Sequence, residues 1–575
     1  MLTATVFLVL LATQSGTVTA SPVSVESLAT VSAASLIARY AENLAYLPPV
    51  TNRPNLAITL SDDRRQALLS GFRSTSTNSS TSTKAGMPIS VNAVPIAFLH
   101  GVASGDPLAN AVILWTKVTP DLSQPRKKSH GARVDWQVAT DRAFTRVLLT
   151  TSEVDHTVKI DVKGLTPATT YYYRFISPNA NGPVVSTVGV TKTMPAEDAE
   201  LDVFKLAVVT CSNMAHGYFH SYARIAEDPS IDVTLHVGDY IYEYDLKSYK
   251  PTKGWNPPAN RVPSGGKVIT SLADYRARYT QYKTDRALQS MHAAKAMIAI
   301  WDDHEFADNA TPFDAPDDKS GNWPARRDAA ARAYHEHLPI RPNLVADNKW
   351  QIYRRFNIGK LVDLFMMDTR MDARDDRVPP KDRRLLGVEQ EKWLFDGMKE
   401  NRATWRVLGN QVMFAPKPTK VLWKELNLLG DDWNGALVSR QNLLDHMAHN
   451  KINDTLMITG DFHASLVSDI PNPAAKDKQA SVFSEFIAPS VTSSTPAFDN
   501  WFLAKLLTPV LKIWNKNVHF SDFVEHGWIN MQFTKTAARV DYMFVHDIHD
   551  IQGGEPQRAK TFEMARGANR VTKTF

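Results

Sequence analysis

The sequence predicts a layered α/β domain preceded, within a chain of 575 residues, by a smaller all-β domain. Three observations predict it. Between about 93 and 196, short segments rich in β-branched and aromatic residues are separated by turn residues. From about 200 to 560, apolar strand-like runs alternate with helical patterns. Several of those runs end in a charged or ligand-capable residue, and the crevice of an α/β sheet lies at the carboxyl ends of its strands.

At the N-terminus, Val6-Phe-Leu-Val-Leu-Leu-Ala12 has the length of a signal-peptide apolar region, and Val18-Thr19-Ala20 supplies small residues for cleavage after Ala20. No Lys or Arg precedes Arg39, so the usual charged start is missing, and a buried helix or a truncated N-terminus is the alternative. No other stretch has the roughly twenty apolar residues of a bilayer span. The expectation is residues 1–20 as a signal peptide and a secreted, extracellular protein without a transmembrane anchor. Residues 21–92 read as an extension, with Ser74-Thr-Ser-Thr-Asn-Ser-Ser-Thr-Ser-Thr83 as a polar linker too poor in apolar residues to pack.

Residues 93–196 contain the strand-like Ala111-Val-Ile-Leu-Trp-Thr116 and Arg133-Val-Asp-Trp-Gln-Val138. They end in Leu165-Thr-Pro167-Ala-Thr-Thr-Tyr171-Tyr172-Tyr173, the spacing of a tyrosine corner, in which a tyrosine hydroxyl bonds back to the backbone before its strand. That signature predicts an Ig/fibronectin-like sandwich.

In the α/β region the runs include Ala207-Val-Val-Thr-Cys211, Val233-Thr-Leu-His-Val-Gly-Asp239, Ala296-Met-Ile-Ala-Ile-Trp-Asp-Asp303 and Leu364-Phe-Met-Met-Asp368. Arg406-Val-Leu-Gly-Asn410 and Leu456-Met-Ile-Thr-Gly-Asp-Phe-His463 continue the pattern. A single Asp after a strand is ordinary turn chemistry, but the repetition predicts one shared site. Cys211 is the only cysteine, so it is a core thiol, a nucleophile, an intermolecular link or a metal ligand. In Gly238-Asp-Tyr-Ile-Tyr242 a turn can aim the Asp239 carboxylate and the Tyr242 phenol at one point, and a phenolate ligand favours Fe(III) over Zn2+ or Mg2+. Asp461 and His463 stand two apart, on one side of an extended segment.

The charge balance, 65 basic against 60 acidic residues with no basic block, speaks against a dedicated nucleic-acid partner. The composition, 43% hydrophobic and 22% charged, excludes a disordered chain.

These segments look like those of the dinuclear metallophosphoesterases of the purple acid phosphatase kind, and they resemble the PhoD-like alkaline phosphatase/phosphodiesterase family more closely. The resemblance rests on Gly101-Val-Ala-Ser-Gly-Asp-Pro107, Ile113-Leu-Trp-Thr116, Gly238-Asp-Tyr-Ile-Tyr-Glu-Tyr244 and Trp301-Asp-Asp-His-Glu305. It continues through Leu386-Gly-x-x-Gln390-x-x-Trp393-Leu394, Trp405-Arg-Val-Leu-Gly-Asn-Gln411, Gly460-Asp-Phe-His463 and Glu485-Phe-Ile-Ala-Pro-Ser490, spanning about 97–530. It implies a metallophosphoesterase-type layered β-sandwich core with flanking helices over 200–560, preceded by the Ig/fibronectin-like domain at 93–196.

The resemblance also implies metal ligands: Cys211 and Tyr242 on iron, Asp239 bridging, and Asp303, Asn410, Asp461 and His463 completing the site. The cofactors it implies are Fe(III) and Ca2+, the second in keeping with hard oxygen ligands. His304 is implied as the general acid or a donor to a phosphate oxygen. The expected activity is hydrolysis of phosphate esters, in which water acidified by the cations attacks phosphorus in line, by a monomer. The alternatives are a dedicated phosphodiesterase or phospholipase D-like enzyme, or a non-catalytic surface-binding protein.

Four further expectations concern neighbouring residues. Asp368 and Arg370 form a structural ion pair; Tyr275-Arg-x-Arg278-Tyr279 is a solvated helix face or a phosphate-facing one. The Pro/Gly-rich insertion from Tyr249 to Gly266 covers the cleft, and Ala436 alters the pocket wall.

Overall fold

The computed structural model describes Ile58–Thr59 and residues 96–575 apart from 121–132, 178–181, 344–349, 417–419, 422–423, 426–429, 477–479, 495–515 and a few single or paired positions. The signal-peptide and linker expectations fall outside these residues.

The all-β region supplies strands β1 (Val102–Gly105), β2 (Ala111–Lys117), β3 (Arg133–Ala139), β4 (Val147–Val154), β5 (Thr157–Lys163), β6 (Thr170–Ser177) and β7 (Gly189–Lys192). In β6 the burial alternates with period 2, Tyr171, Tyr173 and Phe175 pointing inward, so the strand covers a core on one face. Strands β3, β4, β6 and β7 share one sheet, while β1, β2 and β5 lie in another. Val112, Leu114, Val158 and Ile160 from the second meet Trp136, Val138, Tyr173 and Phe175 from the first in one core.

The Tyr171 hydroxyl accepts the backbone N–H of Thr166 at 2.8 Å. Tyr171→Phe strands that amide in a part-buried turn. It is expected to cost about 1–2 kcal/mol in denaturant unfolding while leaving the α/β region's activity within twofold.

The all-β region is not closed off from the α/β region. Strand β1 runs parallel to β10 (Ala296–Ala299), with Ser104 opposite Ala296 and Gly105 opposite Met297. The first large sheet therefore continues from β5, β2 and β1 through β10 to β9 (Val233–His236) and β8 (Phe204–Val209), and then to antiparallel C-terminal strands.

The second sheet holds the parallel strands β11 (Val362–Met366), β12 (Trp405–Asn410) and β13 (Thr455–Thr459). These read as unbroken apolar runs because both faces are covered. Leu364, Val407, Leu456 and Ile458 face the core shared with the first sheet. Phe365, Leu408 and Met457 point the other way, against helices α4 (Gly387–Glu400) and α5 (Leu437–His449). Helices α1 (Leu272–Tyr282), α2 (Arg286–Ala294) and α3 (Trp323–His337) contribute to the core on the first sheet. The result is an α/β arrangement of two mixed sheets between helices. In each sheet the parallel strands end on loops that carry the residues singled out above.

Among the described residues, no helix is long and apolar enough to cross a membrane.

Candidate metal centre

Cys211 follows β8, Asp239 and Tyr242 follow β9, Asp303 follows β10, and Asp461 and His463 follow β13. The loops are tied edge to edge. Cys211 N–H donates to the Gly238 carbonyl at 3.2 Å, and Ser212 N–H donates to the Asp239 carbonyl at 2.8 Å. Gly238 has φ +117°, and a Cβ there would lie 2.4 Å from Asp302 Cβ. At Gly460 a Cβ would lie 2.5 Å from Thr210 Oγ1. Gly238 lets two neighbouring loops of the first sheet approach closely, and Gly460 does the same between the two sheets.

Backbone strain is concentrated here. Cys211, Asp239, Asp461 and His463 all have left-handed φ, between 54° and 60°. Such conformations cost of order 1 kcal/mol each for non-glycine residues and persist where surrounding structure demands them. In this fold they turn four side chains out of the strand direction into one cleft.

The gathered atoms form overlapping trios. Cys211, Asp239 and His463 offer ligand atoms within 4.8 Å of one another, as do Asp239, Asp303 and His304, and Asp302, Asp303 and Asp461. Tyr242 joins the first: its hydroxyl lies 2.8 Å from Asp239 Oδ2 and 2.9 Å from His463 Nε2. His463 Nδ1 lies 3.1 Å from the Ser494 carbonyl, which orients the ring with Nε2 facing the cluster. One end of the site is thus thiol, phenol and imidazole, and the other is carboxylate alone.

The electrostatics show an excess of negative charge. Burial, then Asp239, pushes the Cys211 thiol and the Tyr242 phenol well above their ordinary values. Burial raises Asp461 to about 8 against the pull of Arg370, and Asp303, Asp431 and Asp239 add to the rise. Burial likewise lifts Asp302 and Asp303, with Arg370 opposing. Among the described residues, Asp239 Oδ1 and Asp302 Oδ2 are buried without a hydrogen-bond partner. Buried anionic oxygens in this number call for cations that the side chains do not fully supply. The donor set fits a soft-to-borderline ion at the thiol end and a hard ion at the carboxylate end.

His304 is the imidazole of the second trio. Its Nδ1 is 2.9 Å from Glu243 Oε2, and its ring centroid is 4.3 Å from that of Tyr242. Burial by itself lowers the imidazole, but Asp303, Glu243 and Asp239 together hold it well above its ordinary value. These carboxylates favour the imidazolium over the neutral ring, and Glu243 orients it.

Four expectations change. Asn410 is not drawn into the trios: its Nδ2 donates to the Val412 carbonyl and, at 2.9 Å, to Thr459 Oγ1, and its Oδ1 accepts Trp433 Nε1 at 2.9 Å. A fully engaged amide at a strand end serves the packing of the second sheet. Arg370 does not pair with Asp368 through its side chain but reaches Asp302, Asp431 and Asp461. Tyr275 and Arg278 are buried, neither solvated nor facing a phosphate. Arg278 Nη1 donates to the carbonyls of Tyr242 and Tyr244, pinning the loop that carries Tyr242. Ala436 is buried in the core of the second sheet, so the pocket wall does not depend on it.

The insertion does reach the site. Tyr249 packs edge-on against His216 at 4.4 Å and its hydroxyl lies 3.4 Å from His463 Nδ1, while Trp255 stacks on His549 at 4.6 Å.

Several functional residues escaped sequence reasoning. Glu305 accepts the backbone N–H groups of Asp239 at 3.1 Å, Tyr240 at 2.5 Å and Asp302 at 2.7 Å, so one carboxylate sets two ligand loops. Its place in Asp302-Asp-His-Glu305 was the only signal. Asp431 carried none beyond its position next to Asp432-Trp433.

Comparison with known proteins agrees with this geometry. Residues 206–542 match the family model described as PhoD-like phosphatase, and residues 82–195 match that of the PhoD-like phosphatase N-terminal domain. Alkaline phosphatase D of Bacillus subtilis (strain 168) is 33% identical over 477 residues, 79% of each chain. A solved structure of PhoD superposes with a TM-score of 0.73 at 29% identity, covering 83% of this chain and 92% of the other.

Proposed function

The chain belongs to the PhoD-like phosphatase family and is a phosphoric ester hydrolase, and on that premise we propose that it is a secreted, metal-dependent alkaline phosphatase acting on monoesters and also on diesters. The proposed centre holds Fe(III) on Cys211, Tyr242, His463 and Asp239, and Ca2+ on Asp239, Asp303 and Asp461. The observation that carries this reading is the set of overlapping trios, soft donors at one end and carboxylates at the other, linked in turn through Asp239 and Asp303. The core is proposed to be of the metallophosphoesterase type and the all-β region an Ig/fibronectin-like domain. Secretion is supported by the apolar segment Val6–Ala12 with its cleavage sequence at Ala20, and N-terminal sequencing of protein from the medium tests it, with Ser21 expected first.

When bound, such cations neutralise phosphoryl oxygens and acidify a water, the Lewis-acid chemistry that in-line phosphoryl transfer requires. The side chains do the rest. Asp239 ties the thiol end of the centre to the middle trio, and its hydrogen bond to Tyr242 keeps the phenol aimed at the same point. Protonated His304, held by Glu243, is placed to donate to a phosphoryl or leaving-group oxygen and is itself a fixed positive charge against the phosphate. Glu305 and Arg278 keep the loops from relaxing out of their strained conformations.

Chelation of calcium is expected to lower hydrolysis of p-nitrophenyl phosphate at least a hundredfold, with recovery on adding Ca2+. Unchanged activity after exhaustive dialysis against chelator contradicts the reading. Measuring bis-p-nitrophenyl phosphate beside it sets the monoester-to-diester ratio, and activity on the diester alone favours the dedicated phosphodiesterase.

A further inference from the structure

We propose that Arg370 is the positioning residue that holds the carboxylates of the oxygen-rich cation site in register across the two sheets; this rests on the metal-centre reading above. Arg370 lies in the loop after β11 of the second sheet and is fully buried. Its three nitrogens go to different partners. Nε donates to Asp302 Oδ1 at 2.5 Å, across to the loop after β10 of the first sheet. Nη2 donates to Asp461 Oδ1 at 3.1 Å and lies 3.7 Å from Asp303 Oδ1, and Nη1 donates to Asp431 Oδ2. Every member of the Asp302–Asp303–Asp461 trio is therefore within 4 Å of one guanidinium, whereas no bond joins Arg370 to Cys211, Tyr242 or His463.

The guanidinium is itself held rigid. The backbone N–H groups of Arg370 and Met371 donate to Asp368 Oδ1 at 3.0 and 2.8 Å. The Thr369 N–H donates to Gln411 Oε1 at 2.9 Å. On the far side Arg374 grips Asp431, and Asp376 in turn grips Arg374 at 2.9 and 2.6 Å. A chain of charged pairs thus anchors the fork from outside the site.

The consequence is a division of each carboxylate. On Asp461 the bond to Arg370 occupies Oδ1, so that Oδ2 is the oxygen that would serve a cation. On Asp302 it occupies Oδ1, leaving the buried Oδ2 without a partner. Only a planar fork of donors can hold carboxylates from separate loops at once; a lysine ammonium is a point charge and cannot span them. Outer partners that orient ligands typically carry 10–100-fold of metal affinity.

The test uses full-length protein and compares the wild type with Arg370→Gln and Arg370→Lys. Iron per chain is measured by elemental analysis, the calcium dissociation constant by isothermal titration, and Tm in chelator by calorimetry. The expected result is unchanged iron, calcium binding weakened roughly 10–100-fold in Arg370→Gln and less in Arg370→Lys, and hydrolysis restored by raised Ca2+. Should Arg370→Gln not accumulate as folded protein, Arg370→Lys keeps the buried charge and carries the comparison. Calcium affinity unchanged or tightened overturns the proposal, and so does joint loss of iron and calcium, which marks a general structural role. A wild type that binds neither ion overturns the metal centre itself, a failure visible without any variant.

Discussion

Asp239→Asn is expected to lower kcat/KM by about three orders of magnitude or more, roughly 4 kcal/mol of transition-state stabilisation. Asp239 belongs to two of the three trios and bonds the Tyr242 hydroxyl, so it ties the thiol end to the middle trio of the proposed centre. Asparagine preserves the shape and a hydrogen bond to Tyr242 but removes the charge that would face the proposed cations. In chelator the folded protein should be no less stable than the wild type, because the change removes a buried charge from a crowded anionic cluster. Loss of activity with an unchanged Tm in chelator supports the assignment. Activity within tenfold of the wild type contradicts it.

The second large effect is on stability and lies away from the cleft. His100, His292, His335 and His337 are buried near Lys117, Lys159 and Lys283, and His236, at the end of β9, is buried against Tyr222 and Tyr240. Burial lowers all five imidazoles below their ordinary value; the lysines oppose protonation of His100, His292, His335 and His337 further. For His236 the value falls to about 3. The acids of this layer are Glu336, paired with Arg276, and Asp106, paired with Arg354.

Because the folded value lies below the unfolded one, the unfolded chain takes up more protons as pH falls through 6.5. Stability from these groups is therefore present above that pH and lost below it. Each imidazole held neutral withdraws stability as pH falls below 6.5, and all five act in the same direction. Burial also lowers Lys117 to about 8 and Lys159 to about 7, which extends the rise in stability into the alkaline range. Because the raised carboxyls of the metal-free cluster act in the opposite sense, thermal unfolding is measured with iron and Ca2+ bound, and Tm is expected to rise from pH 5 to pH 9. A Tm constant within a few degrees across that range contradicts the account.

The contributions of sequence and structure divide along a physical line. Cys211, Asp239, Tyr242, Asp303, Asp461 and His463 were legible because each follows an apolar run, and strand ends in a parallel sheet converge by geometry alone. The tyrosine corner was legible because the turn, the proline and Tyr171 are local.

What was not legible depends on contacts between distant segments. Arg278 sits in a helix with many polar residues and reads as solvated, yet α1 is enclosed and its guanidinium is satisfied by loop carbonyls. Arg370 reads as a partner of Asp368 two residues away, but its fork reaches residues 61 to 91 positions distant. Asn410 matched a motif position, but its amide is consumed by Thr459 and Trp433, which only the pairing of β12 with β13 reveals. Likewise the continuity of the all-β region with the first sheet rests on two residue pairs between β1 and β10.

The central claim is a mixed-metal centre whose soft end is Cys211 with Tyr242. Elemental analysis of the protein purified without added chelator, read together with its visible spectrum, tests it most directly. The expected result is one iron per chain with calcium, and a phenolate-to-Fe(III) charge-transfer band that disappears in Tyr242→Phe and weakens in Cys211→Ser as iron is lost. A protein without iron whose phosphatase activity survives both Cys211→Ser and Asp239→Asn would contradict the account.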